Sequence, residues 1–568
     1  MTATHSLPLP RWRELLNSGE LSPVLAEIYP GQVEAWGVNY NRALDQFAGA
    51  FGEERQVVIA RVPGQMNLMG MHIDYGGMPS LRLAVRGHDT ITVAAANRDD
   101  RLRLVSRCVL DGDDDRVFDP VEFQLGDHLP AMPVKTRSAF MDFAGNVCAE
   151  RERRTGSSMD DSWGILPLGQ MVYLESYFRG SPHPVGGMDA AVWSNVNPSG
   201  GMSSSSALVI STAYAALGAH GIVPGYEMPM ADVIDGIGTS EWLRGTRGGT
   251  ADHGGMILGK RGKLVSVGVF PAELKGSALL PDQYVAIIFD TRVPRVYDEA
   301  GKEETVISYP LGTFWLRDVL LPRKSYSGLV PDYQERIEMI RDITPENLGI
   351  TTGQLCELLC EIPACTSLSE LRHAATLAGV GPAFDVVLER EVGERYPSIS
   401  QSYPILLRRR FAFGLAEQDR VSAAVEYLGE GDVETAFELV QLSHAGDREQ
   451  EVEESELEKI GRLADRGERR GRLAFVAGGY GRMTEEYDRF VIAVNEFLQS
   501  KGCDQGAVQR LGAGWGGNAG GLISRRFLED REWRSELEAL LVRLGIEFAD
   551  LDANVASPGE GACLLTPP

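Results

Sequence analysis

Residues 197–208 read NPSGGMSSSSAL, two glycines and a run of serines between two apolar segments. Val192, Ser194 and Val196 alternate before it as in a short strand, and ALVISTAYAAL after it reads as a buried helix. A strand, a small-residue turn and a helix start leave backbone N–H groups at the positive end of the helix dipole, which suits a phosphate. Gly200 and Gly201 let the backbone come close, Met202 follows, and Ser203, Ser204, Ser205 and Ser206 offer hydroxyls to phosphate oxygens or Mg²⁺. Ordered apolar segments at both ends disfavour a flexible linker.

Three more polar clusters stand near glycines. After the β-branched run VVIARV, residues 63–70 read as a tight turn, followed by His72, Asp74 and Tyr75. The segment GTRGGTADHGGMIL carries five glycines between 245 and 255 and reads as a loop threading past a ligand around Asp252. A third glycine-dense turn, GAGWGG, lies at 512–517. No GxxxxGK[ST] loop competes with the 197–208 stretch.

These residues need elements to hold them. Residues 11–52 read as helices, 57–62, LRLAV and TITVAAA as strands, and HPVGGMDAAVWSNV as a hairpin entering the Gly/Ser turn. Asp111, Asp113, Asp115 and Glu122 have the spacing of a calcium loop, but Arg116 stands where that loop needs glycine, and both flanks read as strands. A helix is expected over 227–245, then strands at KLVSVGVF and QYVAIIFDTR. The pattern places a boundary near 280, giving domains 1–282 and 283–568, with an insertion of mixed, partly helical character around 293–405. Helices return at 408–428, 432–444 and 486–500. Cys356, Cys360 and Cys365 are close together, but QLCELLCEI reads as a core helix rather than a zinc site.

The chain has 568 residues, 43% hydrophobic and 24% charged, with a formal net charge of −25 from 80 acidic and 55 basic residues. That balance argues against nucleic acid as a partner. No run of 18 apolar residues predicts a membrane span, and the first residues lack the apolar core of a signal peptide. Seven cysteines in so long a chain fit a reducing, cytoplasmic setting.

In order and chemistry the motifs resemble those of the GHMP kinases, and of the galactokinases among them. The family form PGRVNLIGEHTDY is matched by PGQMNLMGMHIDY (Pro63–Tyr75), GGGLSSSA by GGMSSSSA (Gly200–Ala207), and GGGFGGC by GAGWGGN (Gly512–Asn518). CGIMDQ is matched loosely by GGTADH (Gly248–His253), and AEQDRV (416–421) and LSHAGD (442–447) are further galactokinase-like features. The resemblance implies an α+β protein of two domains, an N-terminal mixed-sheet domain with helices and a C-terminal ferredoxin-like α/β sandwich, with the site in the cleft between them. It implies ATP-dependent phosphorylation of the anomeric hydroxyl of a small sugar, with ATP and Mg²⁺. Gly200–Ser206 would cradle the phosphates, and Ser206 and Glu241 would hold Mg²⁺. Asp252 would orient or accept the proton of the attacking hydroxyl. His72, Asp74 and Gly249 would contact the sugar.

Two departures stand out. Gln65 occupies the position of a family arginine and carries no charge to favour ionised Asp252. Arg61, Arg244 and Arg247 are the cations expected to substitute. Met71 replaces a glutamate that binds the sugar's primary hydroxyl, making that wall apolar and pointing to a pentose or a 6-deoxy or 6-modified sugar. Gln65 also fits a second reading, a non-catalytic sugar- and ATP-binding sensor, against which Asp252 counts. A third reading is a GHMP enzyme acting on a non-sugar alcohol, against which His72 and Asp74 count.

Overall fold

A computed structural model describes residues 5–109, 115–198, 200–245, 248–296, 298–393, 396, 398–448, 451–481, 483–512, 514–546 and 550–568. Its contacts define two units, each discontinuous in sequence. The first comprises Met1–Met66, Arg82–Lys275 and Ala556–Pro568; the second comprises Asn67–Leu81 and Gly276–Val555.

The first unit is built on a mixed sheet ordered Leu7–Pro8, Gln56–Met69, Ser80–Ala96, Met188–Ser194, Arg101–Val109, Asp115–Gln124. Met188–Ser194 runs antiparallel to Ser80–Ala96 and parallel to Arg101–Val109. Strand residues alternate between two cores, as the period of two requires. Val58, Ala60, Val62, Ala94 and Ala190 face the helices Ile165–Phe178, Ser204–Ala219 and Met230–Ser240. Val57, Ile59, Ile91, Val93, Ala191 and Trp193 face the N-terminal helices, where Trp36 meets Trp193 edge-on at 6.1 Å. The C-terminal Cys563–Leu564 pairs with Arg61 and Ala60 and extends the same sheet.

Two local expectations are corrected. Residues 63–69 are not a turn: Gln56–Met69 is one strand, and the chain first bends at Gly70, whose φ is +87°. Gly64 is there for approach rather than turning, since a Cβ on it would lie 3.2 Å from Met202 Cβ while Gln65 N donates to Met202 O at 3.1 Å. The 183–196 segment is not a hairpin either; Met188–Ser194 is a single strand inside the sheet. Of the calcium-like stretch, 110–114 lies outside the described residues, and both flanks are strands.

The second unit contains Tyr284–Asp290, Glu485–Lys501, Gly506–Arg510, Asn518–Ser524, Arg531–Arg543 and Val555–Ala556, a β-α-β-β-α-β series. Its sheet order, 506–510, 518–524, 284–290, 555–556, is the ferredoxin-like arrangement. The two helices cover it through Phe490, Val494, Leu537 and Leu541. Between the first strand and first helix the chain builds a helical layer from Glu299–Phe314 to Glu454–Asp465, whose core takes in Ile73 and Met78 from the 67–81 segment. The 293–405 stretch is largely helical within this layer. Cys356 is buried on the helix Thr352–Glu361, and burial pushes its thiol up to about 12, so it stays protonated as a core side chain. Among the described residues no helix is long and apolar enough to cross a membrane.

Candidate active site

In the first unit the local geometry gathers around Asp252. Asp235, buried on Met230–Ser240, accepts from Thr250 Oγ1 at 2.7 Å and from Ala272 N at 2.7 Å. Thr250 is the N-cap of the helix Ala251–Ile257, so this anchor fixes where Asp252 begins its turn. Asp252 is therefore at a helix start rather than in the open loop expected for 245–258.

Four side chains then close a network. Arg82 Nη1 donates to Asp252 Oδ1 at 2.5 Å and to Gln65 Oε1 at 2.9 Å. Ser203 Oγ donates to Asp252 Oδ2 at 2.6 Å and accepts from Gln65 Nε2 at 2.9 Å; the Gln65 amide also reaches Asp252 Oδ1 at 3.3 Å. Burial pushes the Asp252 carboxyl up, but the Arg82 charge and the Ser203 hydrogen bond outweigh it and hold the group below the usual carboxylate range. Asp252 is thus ionised at neutral pH and retains lone pairs for a substrate hydroxyl. Gly255 makes room for the cation, since a Cβ there would lie 2.8 Å from Arg82 Cδ.

Arg82 was not among the expected substitutes for the missing arginine. Arg61 is committed to Asp89 at 2.5 Å and to the carbonyls of Glu560 and Gly561, and Arg244 to the 160–161 segment. Arg247 lies outside the described residues. The one local hint is that Arg82 stands between the buried apolar Leu81 and Leu83, a place that demands a partner for the guanidinium without saying which.

The Gly/Ser turn forms the start of the helix Ser204–Ala219. Gly200 N donates to Asn197 O at 2.9 Å, Gly201 has φ +72°, and Ser203 is a left-handed N-cap with φ +56°. The Ser203 hydroxyl goes to Asp252 rather than back to the helix, so no side chain caps the first turn. Its backbone donors are therefore placed for an anion. Met202 is buried, Ser204 is partly exposed and Ser205 exposed. Ser206, 4% exposed, donates to Glu241 Oε1 at 3.2 Å, and that oxygen lies 3.0 Å from His253 Nε2. A hydroxyl and a carboxylate converging beside an uncapped helix start are hard oxygen donors that could hold Mg²⁺ together with phosphate oxygens. Gly249 lies in the segment leading to Thr250 and is partly buried.

The second unit holds Met71, His72 and Asp74. Gly70 N donates to Glu417 Oε1 at 2.8 Å, and that oxygen also accepts from Ser443 Oγ at 2.6 Å. Tyr309 Oη donates to His72 O at 2.9 Å. These contacts hold His72 at φ +60°, a strained conformation for a residue with a side chain. Its ring stacks on Tyr480 at 4.0 Å. Met71 is buried, and Asp74 opens a short 3₁₀ turn, Asp74–Gly76. In the 512–517 turn, Gly516 and Gly517 are demanded by their neighbours, because Cβ atoms there would fall 2.3 Å from Pro294 O and 2.4 Å from Arg295 Nε. Ala513 of that turn lies outside the described residues.

Comparison with known proteins adds three findings. Residues 45–96, which include Gln65, Met71, His72, Asp74 and Arg82, match the galactokinase galactose-binding signature. A galactokinase of Candida parapsilosis is 24% identical over 238 residues, a match spanning 42% of this chain and 40% of that protein. The crystal structure of Lactococcus lactis galactokinase complexed with galactose aligns with a TM-score of 0.55 at 15% identity, covering 93% of this chain and 100% of the other. The fold is that of the GHMP kinases, an α+β protein with a mixed-sheet unit and a ferredoxin-like unit. In sequence, the similarity to galactokinases lies in the 45–96 signature and in the 238-residue match.

Proposed function

We propose that the protein is an ATP-dependent kinase of galactokinase type that phosphorylates the anomeric hydroxyl of a galactose-like sugar. The observation that carries this reading is the ionised Asp252, with Arg82 on one carboxylate oxygen and Ser203 on the other. Asp252 accepts or orients the proton of the attacking hydroxyl, and Arg82 stabilises charge as it develops. Gly200–Ser206 bind the β- and γ-phosphates through backbone N–H groups, with the Ser203 hydroxyl reserved for Asp252. Ser206 and Glu241 hold Mg²⁺, which neutralises phosphate charge when bound. His72, Asp74 and Gly249 bind sugar hydroxyls. Met71 offers no acceptor for a 6-hydroxyl, so the preferred sugar lacks or modifies that group, as a pentose or 6-deoxy sugar does.

Arg82 supports catalysis over a sensor role, because it supplies beside Asp252 the charge that Gln65 lacks. The test is ADP formation with ATP, Mg²⁺ and a sugar panel, with Asp252→Ala as control. Turnover on at least one sugar, lost in the control, is expected. Sugar binding without turnover on every member of the panel would instead establish a sensor, and turnover insensitive to Asp252→Ala would remove the mechanism.

A further inference from the structure

Two sequence features remain without a role in this chemistry: LSHAGD at 442–447 and the strand end that leads into GAGWGG. Both converge on His72. Asp447 holds Arg510 bidentately, Oδ1 accepting from Nη2 at 2.7 Å and Oδ2 from Nε at 2.9 Å. Arg510, fully buried, turns Nη1 to His72 Nε2 at 2.5 Å and to Gly512 O at 3.1 Å. Its guanidinium also packs over the Trp515 ring at 4.7 Å.

We propose that Asp447 and Arg510 are positioning residues that lock His72 as the neutral tautomer with its proton on Nδ1, making it a fixed hydrogen-bond donor toward a sugar oxygen. A guanidinium has only donors, so Nε2 must present its lone pair and the ring proton must sit on Nδ1. No hydrogen bond to Nδ1 is found among the described residues, and the residue as a whole is half-buried. Protonating the ring would place a second cation against Arg510. Burial, Arg510 and Lys302 together hold His72 well below its usual range. Tyr480 stacks on the ring and Tyr309 holds its backbone carbonyl; neither offers a charge in exchange. With Nε2 occupied by Arg510, the neutral ring has Nδ1–H as its one donor.

This inference rests on the reading of His72 as a sugar ligand, but its primary test does not require turnover. The full chain is labelled with ¹³C and ¹⁵N histidine in a deuterated background, and the His72 signal is assigned by its loss in His72→Gln. The expected result is an Nδ1–H imidazole whose titration lies well below the ordinary histidine range. An Nε2–H tautomer, or titration near the ordinary histidine value of about 6.5, overturns the proposal. In Arg510→Gln, the KM for the sugar should rise about tenfold at pH 8, where the neutral ring is free to carry its proton on Nε2, and should recover at lower pH as the ring protonates and regains its Nδ1 proton, with kcat at saturating sugar changed less than about threefold. Arg510→Lys, which keeps one donor for Nε2, should recover part of the loss. Equal losses in kcat and KM with no new pH dependence would mean a purely structural role and refute it. If Arg510→Gln does not fold, the wild-type tautomer decides. A correct tautomer without turnover on any sugar would refute the kinase reading and leave the lock standing.

Discussion

Arg82 Nη1 and Gln65 Oε1 are 2.9 Å apart on adjacent strands, so the cation beside Asp252 stands one strand away from the position where the galactokinase motif carries arginine. The charge has moved and the glutamine now braces it. Replacing Arg82 by Gln should lower kcat by about 10²–10³. The Arg82 charge contributes to holding the Asp252 carboxyl low, so its interactions with ionised Asp252 stabilise the fold above the ordinary carboxylate pKa and are lost as pH falls through the depressed folded value. Without Arg82 that value rises, and the acid limb of the kcat/KM profile should move to higher pH. The double change Gln65→Arg with Arg82→Gln should restore most of the activity. Full activity in Arg82→Gln alone would sink the idea.

Gly255 is a sharper probe of the same cation. Ala at 255 would press on Arg82 Cδ, the middle of a flexible side chain, rather than on backbone. We expect kcat to fall about tenfold, an extra barrier of about 1.4 kcal/mol, while thermal unfolding shifts by only a few degrees. A large loss of thermal stability with unchanged specific activity in the folded fraction would contradict this.

The Ser206–Glu241 pair should reveal itself in metal dependence. Glu241→Gln and Ser206→Ala are each expected to raise the Mg²⁺ concentration for half-maximal activity by at least about tenfold. Nucleotide binding without Mg²⁺, measured by calorimetry, should change little. Equal weakening with and without the metal would assign both residues to phosphate instead.

Met71 governs the sugar. Met71→Glu should shift the ratio of kcat/KM for galactose over a 6-deoxy or pentose analogue toward galactose by about tenfold or more. A competition assay with both sugars present reads that ratio directly, and an unchanged ratio would place Met71 away from the sugar.

Much of the site was legible because its parts are local. The Gly/Ser turn, the helix after it and Asp252 beside its glycines are patterns within a dozen residues. Arg82 was not, since its partner lies 170 positions away and no spacing rule connects them. Residues 63–69 misled for a different reason: proline and glycine usually mark turns, but here the glycine serves the approach of Met202 and the strand continues. The ferredoxin-like unit was expected from the resemblance rather than from periodicity. Its first strand and first helix are separated by the whole helical layer, and periodicity does not tell which distant strands pair.

The return of residues 556–568 to the first unit governs the order in which the chain can fold. Cys563 and Leu564 pair with the Gln56–Met69 strand, and the carbonyls of Glu560 and Gly561 satisfy the buried Arg61. On the ribosome, at about 5–20 residues per second, those partners emerge only after all of 276–555 has been made. For tens of seconds the nascent first unit holds Arg61 with Asp89 as its partner but without its carbonyl acceptors, and a sheet edge left open, which makes that edge the natural place for a chaperone to bind.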